Sequence, residues 1–585
     1  VAAITGTWYI TLLVGTFQAE TINISGSPVA TAAGASTISG ASTLALNATY
    51  LNLSADQYRS SIAAVPGTGS VLGVWQYSSG VYALRNNAGG TAAVLHKAST
   101  SGWTAVTLYN EVSFTVGAVT TPADGETLTQ GAVTATVKRV VTQSGAWTGT
   151  AAGRFIVTNP AGGNFAAGAA TLSGGATVTL SAVQTAISFS PSGRFEFVNY
   201  NFGGAANTTR MYGCDGVNRA FEFDGTVLVP LSTGMTTDTP VHIYSHKKHL
   251  FLSFAGSIQH SAIGNPYQYT VVTGASEIAV GDTCTGFRGL PGNQDTAALA
   301  IYNRNSTYVL YGSSSSDWKL VQYNDEAGAL EWTIQAMSQL ITLDDRGITL
   351  LAATADYGNF KDATVSRQVD PYLQDLRDTA IASCIVREKN QYRLFFSGGD
   401  ALYLTFSGNK SAGMMPVTLT NPATCVCSQE AANGIEEIYF GSTNGMVYQM
   451  ERGTSFDGES IDHQLELSYH HFGTPRQLKQ FRKAMIEVSG STYCGFSLGY
   501  SLSYGSTDTP QPGTTAVTSN LASSTWDSFT WDQFFWDGQT LIPAEVDLEG
   551  MAENISLVFS GQSDEYDSFT LNGAVVSYTP RRELR

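Results

Sequence analysis

Three histidines in one short stretch have a spacing that would suit a metal site. His242, His246 and His249 stand four and three residues apart. On a helix this spacing would bring three imidazoles to one face, where they could bind a transition metal. The surrounding sequence instead alternates like a strand, a turn and a second strand, and the two lysines between His246 and His249 would repel a cation. We therefore predict a polar hairpin here and no metal site.

A serine lies in the pattern of a hydrolase nucleophile. The segment Gly495-Phe-Ser497-Leu-Gly499 matches the nucleophile elbow, in which the serine occupies a sharp turn between a strand and a helix. Strand-like alternation continues here to Gly505, and no helical stretch follows. We predict that Ser497 is a strand residue without a catalytic role.

Carboxylates that could hydrolyse a glycoside are too numerous to select a pair. That reaction needs two carboxyl groups roughly 5–9 Å apart across a cleft, but Asp is also common at turns, where it accepts backbone hydrogen bonds. The Asp-box pattern of sialidases is missing, because Ser316-Asp317-Trp318 lacks its glycine and threonine. We therefore predict no catalytic residue among the candidates at predicted turns, which are Asp317, Asp325, Asp344, Asp345, Asp356 and Asp362.

A tryptophan stripe near the end of the sequence allows two interpretations. Trp526-Asp527, Trp531-Asp532 and Trp536-Asp537 repeat every five residues, so their indole faces could stack on sugars. Large aromatics of this kind also pin a loop or pack on a neighbouring subunit. We favour packing.

Basic residues gather in two places on an otherwise acidic chain. Such groups could pair with an acidic partner subunit, line a DNA path or form a solvated face. They are Arg476, Lys479, Arg482 and Lys483, followed by Arg581, Arg582 and Arg585.

The six cysteines are predicted to be reduced packing residues. A disulfide framework packs cysteines densely into a small domain, whereas these are scattered: Cys214, Cys284, Cys384, Cys425, Cys427 and Cys494. The spacing of Cys425 and Cys427 is not the CxxC of a zinc or redox site. P-loop and calcium-loop patterns are missing as well, so we expect no cofactor and no metal.

The composition argues against a surface built to bind nucleic-acid phosphates. Of the 585 residues, 47 are Asp or Glu and 30 are Lys or Arg, which gives a net charge of −17, whereas phosphate binding needs clustered basic residues. The 60 glycines and 43% hydrophobic residues indicate a folded, turn-rich protein. No run approaches the ~18 consecutive apolar residues of a membrane-spanning helix, so we expect no membrane segment.

The elements that position these residues are predicted to be strands. Period-two alternation of β-branched and aromatic residues between Gly, Asn and Ser turns predicts an all-β protein. Helical signals are short. We expect one helix over residues 370–377, where Asp370 can cap the first turn and Pro371 suits its first position, and a second over residues 329–340.

A loose repeat of aromatic-rich strand pairs predicts the architecture. The anchors Phe195, Leu250, Leu299, Leu350, Leu394 and Ile438 recur at steps of 55, 49, 51, 44 and 44 residues. A four-stranded propeller blade takes ~40–50 residues, whereas the coils of a β-helix recur at much shorter intervals. We therefore predict a β-propeller with six or seven irregular blades.

Composition and the limits of the repeat divide the chain into domains. We assign residues 61–112 and 193–455 to the propeller and residues 113–192, rich in Thr, Ala, Gly and Val, to a small inserted β-sandwich-like domain. Residues 456–585 are predicted to form a separate C-terminal β domain.

The Ala/Thr/Gly-rich residues 1–60 resemble part of the insert. With the same offsets, Gly15-Thr-Phe17, Ala19 and Ser25-Gly26 match Gly163-Asn-Phe165, Ala167 and Ser173-Gly174. We expect this segment to be the end of a module that begins upstream.

Several motifs together resemble the nozzle proteins of short-tailed bacteriophages, also called packaged-DNA stabilisation proteins. The resemblance covers roughly residues 60–112 and 195–585, and its motifs are loose patterns. They are Val65-Pro-Gly-Thr-Gly69, Gly73-Val-Trp75, Val81-Tyr-Ala-Leu-Arg85, Gly102-Trp103, Met211-Tyr-Gly-Cys-Asp-Gly216, Phe221-Glu-Phe-Asp-Gly225, His249-Leu-Phe-Leu-Ser253, Ser257-Ile-Gln-His260, Thr307-Tyr-Val-Leu-Tyr311, Phe569-Thr-Leu-Asn-Gly573 and Tyr578-Thr-Pro-Arg-Arg582.

The resemblance implies a structural, non-enzymatic virion protein of the phage tail. Its propeller subunit would form a homo-oligomeric ring, a hexamer, that contacts adaptor or portal-side proteins and tail fibres or spikes. The ring would retain the packaged genome and conduct phage DNA during ejection, without sequence-specific binding. An acidic lumen suits that role, because it repels phosphates and lets DNA slide. The alternative is a receptor-binding or polysaccharide-degrading tailspike, a carbohydrate-active protein.

Overall fold

The chain divides into two compact units, residues 63–451 and residues 1–62 with 452–585. The computed structural model describes residues 19, 21–24, 27–31, 58–59, 61–290, 298–351, 364–408, 410–431, 433–490, 493–520, 542–563 and 568–583. Strands dominate the described part, numbered in chain order from a hairpin of β1 (Thr21–Ile24) and β2 (Ser27–Thr31). None of its helices is long and apolar enough to cross a membrane.

Seven antiparallel sheets of three or four strands, here called blades 1 to 7, follow one another along the larger unit. Blade 1 contains β3 (Thr68–Tyr77), β4 (Gly80–Asn86), β5 (Ala93–Ser99) and β6 (Gly102–Ala105).

An inserted domain separates blade 1 from blade 2. Its strands are β7 (Asn110–Ala118), β8 (Thr127–Gln130), β9 (Val133–Ser144), β10 (Ala151–Val157), β11 (Gly168–Leu172), β12 (Thr177–Leu180) and β13 (Thr185–Ala186).

Blades 2, 3 and 4 have four strands each. They are β14 (Glu196–Tyr200), β15 (Arg210–Cys214), β16 (Phe221–Phe223) and β17 (Leu228–Pro230); β18 (Ile243–His246), β19 (His249–Phe254), β20 (Ser257–His260) and β21 (Ser276–Ala279); and β22 (Cys284–Gly289), β23 (Leu299–Asn303), β24 (Thr307–Tyr311) and β25 (Lys319–Asn324).

Blades 5, 6 and 7 complete the set. They are β26 (Gln335–Ala336), β27 (Leu340–Asp344) and β28 (Gly347–Leu350); β29 (Ala380–Val386), β30 (Gln391–Phe396), β31 (Asp400–Ser407) and β32 (Lys410–Thr418); and β33 (Ala423–Glu430), β34 (Glu436–Ser442) and β35 (Val447–Gln449). The α-helix α1 (Asp370–Leu376) lies between blades 5 and 6.

The first strands of the seven blades form a closed ring. Each of β3, β14, β18, β22, β26, β29 and β33 contacts the first strand of the next blade, and β33 returns to β3. Second strands such as β19, β23 and β27 are buried along their whole length, because each blade packs between two others. This is a β-propeller, as the repeat predicted, and of the six or seven blades expected it has seven.

Among the described strands, none is shared between blade 1 and blade 7. Thr424 donates its hydroxyl hydrogen bond to the Val71 carbonyl at 2.7 Å, and Gln76 donates to Glu437 at 2.9 Å. Two glycines permit the close approach of blade 1 to its neighbours. A Cβ on Gly441 would lie 2.5 Å from Val71 Cγ1, and one on Gly73 would lie 2.7 Å from the Cβ of Phe195.

The inserted domain is one sheet that closes on itself, around a core that includes Phe114, Phe155 and Phe165. Its strand order is β10-β9-β8-β11-β12-β7, and β10 pairs again with β7. The predicted sandwich-like module is therefore built as a small barrel, and its strands span residues 110–186. Entering strand β7 and leaving strand β13 lie side by side, with Glu111 opposite Thr185.

Buried ion pairs fix the insert to blade 2. Arg139 of β9 contacts Glu222 at 3.0 Å and also Asp224, both on or beside β16. Glu222 is 3% exposed and accepts further hydrogen bonds from Tyr212 at 2.8 Å and Tyr267 at 2.7 Å. Both oxygens of Glu222 therefore have partners. Among these partners Arg139 supplies the positive charge that compensates the buried carboxylate.

The hairpin β1–β2 repeats part of this barrel. Thr21 pairs with Thr31 and Ile22 with Ala30, and the matching residues in β11 and β12 pair in the same way, Ala169 with Thr179 and Ala170 with Val178. The resemblance seen in the sequence therefore extends to the register of these two pairs, after which β1–β2 has a register shift that β11–β12 lacks. Phe17 and the motif residues Ser25 and Gly26 lie outside the described residues.

The described part of the smaller unit contains a β-sandwich. Two four-stranded sheets enclose a core that includes Phe481, Phe496 and Phe559. The strands are β36 (Ser455–Phe456) and β37 (Glu459–Ser460), a separate hairpin, then β38 (Asp462–Glu466), β39 (Gln477–Gly490), β40 (Tyr493–Leu502), β41 (Thr515–Asn520), β42 (Ile542–Asp547), β43 (Met551–Ala552), β44 (Ile555–Gln562) and β45 (Phe569–Glu583).

Of the two predicted helices, one is confirmed and one is wrong. Helix α1 matches the first, with Pro371 in its first turn, although Asp370 lies inside that turn and not at the cap. Residues 329–340 form a turn and the short strand β26. The reason is Trp332, whose backbone φ of 66° is left-handed and interrupts any helix.

The closure can be tested at Gly441. We expect Gly441→Ala to lower the free energy of unfolding by about 1–3 kcal/mol, because the added methyl overlaps Val71. Urea denaturation would measure the change. Gly413→Ala is the matched control, since a Cβ there meets no atom within 4 Å; equal effects of both substitutions would contradict the packing assignment.

The ion pairs of Arg139 with Glu222 and Asp224 give a second test. Arg139→Ala leaves the buried Glu222 without its cation, so we expect a loss of about 3–5 kcal/mol in urea denaturation. Arg304→Ala removes an exposed pair with Asp345 and should cost at most about 1 kcal/mol. A similar small cost for both variants would mean that Arg139 does not hold the insert.

Candidate functional site on the propeller axis

A small cavity of about 80 Å³ lies where the seven blades converge. Residues from or beside the first strand of every blade line it. The charged, aromatic and amide side chains among them include Arg194, Glu196, His242, Arg288, Trp332 and Gln335. The axis is thus filled by side chains, several of them charged.

A protonated histidine bridges two carboxylates at this cavity. His242, at the start of blade 3, lies 3.0 Å from Glu196 through Nδ1 and 3.2 Å from Glu331 through Nε2. Burial alone would lower the pKa of His242, but these two hydrogen-bonded carboxylates raise it to about 9. The imidazole therefore carries a proton on each nitrogen at neutral pH and links blades 2, 3 and 5.

The contact with His242 also lowers the pKa of Glu196. Burial would raise the pKa of this carboxyl, but the hydrogen bond and charge of His242 hold it below its usual value. Glu196 also accepts a hydrogen bond from the backbone N–H of Ile243 at 3.2 Å. Glu196 is therefore ionised and His242 is protonated, so the two side chains form an ion pair.

Trp332 is held in a strained conformation beside this group. Its left-handed backbone costs roughly 1–3 kcal/mol for a residue other than glycine. Ser383 of blade 6 donates a hydrogen bond to its carbonyl at 2.7 Å, and Gln335 donates to the Ser383 carbonyl at 2.9 Å. The indole lies 4.9 Å from the His242 ring, so blades 5 and 6 support the axis jointly.

The guanidinium of Arg194 stacks on the indole ring of Trp332. Arg194 lies with its guanidinium carbon 4.0 Å from the indole centroid, a cation–π contact. Burial lowers the pKa of Arg194 to about 10, so the group stays charged at neutral pH. Its Nε is buried without a hydrogen-bond partner among the described residues.

This arrangement holds blades 2, 3 and 5 together. One oxygen of Glu196 and one oxygen of Glu331 are bonded to His242 from opposite sides. The imidazole therefore lies between the two carboxyl groups, where a glycosidase needs room for a sugar.

The three histidines of the sequence motif do not converge. His246 and His249 face each other across the β18–β19 turn, where the two lysines take left-handed conformations, so the predicted hairpin is present. His249 bonds to the Ser261 carbonyl at 2.6 Å, away from His242. No cluster of three metal-ligating side chains was found among the described residues.

Other candidates from the sequence also have structural surroundings. Ser497 lies within β40, paired with Ala516 and Ser560, so the strand assignment is confirmed. Asp317 accepts backbone hydrogen bonds from Ser313 and Ser314, which is the capping role expected at a turn.

The remaining described turn aspartates either have partners of their own or are exposed. Asp344 accepts from the backbone of Arg346 at 2.8 Å, and Asp345 pairs with Arg304 at 2.6 Å. Asp325 is exposed. Asp356 and Asp362 lie outside the described residues, as does the stripe of Trp526, Trp531 and Trp536.

The basic groups share one sheet but differ in environment. Lys479 is buried, and its Nζ donates to the carbonyls of Thr474, Gln477 and Glu553 at 2.7–2.9 Å. Lys483 pairs with Glu545 at 3.0 Å. Exposed arginines on or beside β39 and β45 are Arg476, Arg482, Arg581 and Arg582, whereas Arg585 lies outside the described part.

Five cysteines are buried free thiols, as predicted: Cys214, Cys284, Cys384, Cys425 and Cys427. Burial raises the pKa of Cys284 and of Cys384 to about 12, so these two are unreactive packing groups. The side chain of Cys494 is outside the description.

Sequence reasoning missed most of the axial group. It considered His242 only as part of a metal motif, and it passed over Arg194, Glu196, Glu331 and Trp332. One signal was present: the charges of Arg194 and Glu196 alternate with Phe195 and Phe197 at the start of a predicted strand. In a propeller this position faces the axis.

Comparison with known proteins gives no family. No protein-family model matches the chain, and no curated protein matches it. Among solved structures, it is similar to BBS1N in complex with ARL6DN, soaked with lead, at 11% identity and a TM-score of 0.29, over 43% of this chain and 76% of the other. It is also similar to Saccharomyces cerevisiae Sqt1, at 9% identity and a TM-score of 0.33, over 66% and 85%. Likeness this weak carries no functional argument.

The His242 bridge predicts a specific pH dependence. The folded pKa of about 9 exceeds the ordinary value of 6.5, so the bridge stabilises fully below pH 6.5 and its contribution is lost as the pH rises through 9. We expect wild type to lose stability over this window and His242→Gln to lose less. Urea midpoints at pH 6, 7.5 and 9.5 would test this. Parallel curves for both proteins would contradict the bridge.

Proposed function

We propose that this protein is a structural component of a bacteriophage tail. Several copies would form a nozzle or tube ring that retains the packaged genome, conducts DNA during ejection and offers attachment surfaces to other tail proteins. The motif resemblance to nozzle proteins motivates the proposal. The observation that supports a structural role is the propeller axis, where the ion-paired His242 joins blades 2, 3 and 5 and leaves a cavity of only about 80 Å³.

The axis limits where DNA could pass. A cavity of about 80 Å³, lined by side chains of all seven blades, has no room for a duplex. A conduit would therefore have to lie between copies of the chain and not through one propeller. This requirement supports a ring of subunits, the assembly that the resemblance implies.

The net charge of the chain favours a ring through which DNA passes without binding to the protein. A net charge of −17 repels phosphates, and a repulsive wall lets DNA slide where a basic wall would bind it at each step. The exposed arginines on β39 and β45 are too few to reverse this balance. Within such a ring they would suit contacts with acidic surfaces of neighbouring subunits.

The inserted barrel is suited to an attachment role. It is folded around its own core and is fixed to blade 2 by Arg139 and by an ion pair between Glu111 and Arg219 at 3.1 Å. A module held this firmly can transmit load from a fibre or spike to the propeller. The ring-forming surfaces would then be left to the other blades and to the sandwich.

The proposal predicts a defined assembly. Purified protein should form a closed ring whose mass is a multiple of 62.0 kDa, six copies for a hexamer, and the same ring should appear as sixfold density at the tail of purified particles. Mass photometry and electron microscopy would measure both. The assembled ring should also fail to retain duplex DNA in a mobility-shift assay at ~0.15 M salt.

Two results would contradict the proposal. One is a monomer absent from virions. The other is a trimeric spike that releases reducing sugars from host capsule, which would establish the carbohydrate-active alternative.

A further inference from the structure

The axial cavity contains a guanidinium that has no hydrogen-bonded anion. Among the described residues Arg194 makes no hydrogen bond or ion pair, and its contact is with the face of Trp332. Its Nε is buried and unpartnered. A guanidinium has five N–H donors, and a buried charge is normally paired.

The nearby carboxylates of Glu196 and Glu331 attract Arg194 through their charge but form no hydrogen bond with it. Glu196 and Glu331 are both engaged by His242 at 3.0 and 3.2 Å. Arg288, a second guanidinium on the cavity wall, donates one hydrogen bond to the Ile334 carbonyl at 3.3 Å. The charged groups here are thus three cations, counting His242, and two anions.

The cavity has the size for a small ion. It measures about 80 Å³, and about 10–15 Å³ of this kind of volume holds one water. An ion as large as phosphate, with a few waters, would therefore fit, whereas a larger organic ligand would not. The planar guanidinium fork matches the paired oxygens of such ions.

From these contacts we infer that the propeller axis binds one small oxyanion, of the phosphate, sulfate or carboxylate class, through the guanidinium of Arg194. Arg288 lines the same cavity. The ion completes the charge balance of the site and stabilises the folded ring, because it binds the folded state alone. The inference does not depend on the tail assembly proposed above.

The full chain in Tris chloride at pH 7.5 is titrated calorimetrically with sodium phosphate, sulfate and acetate, with sodium chloride as the ionic-strength control. We expect saturable binding of one ion per chain by at least one oxyanion, a rise in melting temperature with that ion, and neither effect with chloride. Specific binding is readily distinguished on this chain, because its net charge of −17 repels anions elsewhere.

Variants of Arg194 test whether this residue binds the ion. Arg194→Gln should weaken binding about tenfold or more, while its melting temperature in oxyanion-free buffer stays equal to wild type or rises, since an unpaired buried charge is removed. Arg194→Lys keeps the charge without the fork and should bind more weakly than wild type. Arg387→Gln, at an exposed arginine of blade 6, should bind like wild type.

Two outcomes overturn the inference. Wild type that binds none of the three oxyanions places no ion in the cavity. Equal affinity in wild type and the Arg194→Lys or Arg194→Gln variant places any bound ion elsewhere.

Discussion

The whole propeller depends on joining its first blade to its last. Blade 1 and blade 7 are more than three hundred residues apart in sequence, and their contact must repay the entropy of closing that loop. Many propellers solve this by sharing strands of one blade between the two chain ends. Here the contact is made by whole sheets, through Val71, Thr424 and Gly441. Gly441 permits the close approach of Val71, and side-chain hydrogen bonds then fix the register of the joint.

Closure also explains the chemistry of the axis. Seven inner strands bring polar ends together in a narrow space, where unpaired charge is costly. The bridge from Glu196 and Glu331 to His242 offsets that cost by pairing, and the face of Trp332 covers Arg194. The axis therefore connects blades 2, 3, 5 and 6.

The fold was largely predictable because its main signal is periodic. Steps near fifty residues identified blades even though the anchors lie on different strands, with Leu250 on a second strand and Leu350 on a third. The helix at Asp370 had a local signal in Pro371. The axial group had none of comparable strength, since its members come from separate blades and meet only after closure. The wrong helix over residues 329–340 has the same origin: tertiary contacts impose the backbone of Trp332.

The barrel between blades 1 and 2 begins and ends at neighbouring strands, with Glu111 opposite Thr185. Removing or exchanging such a module changes the distance between the flanking blades very little, as for inserted domains whose termini adjoin. Genetic recombination at this point could therefore swap one accessory module for another while the propeller is inherited unchanged. The hairpin β1–β2, which shares two strand pairs with β11–β12, fits a duplication of this building unit.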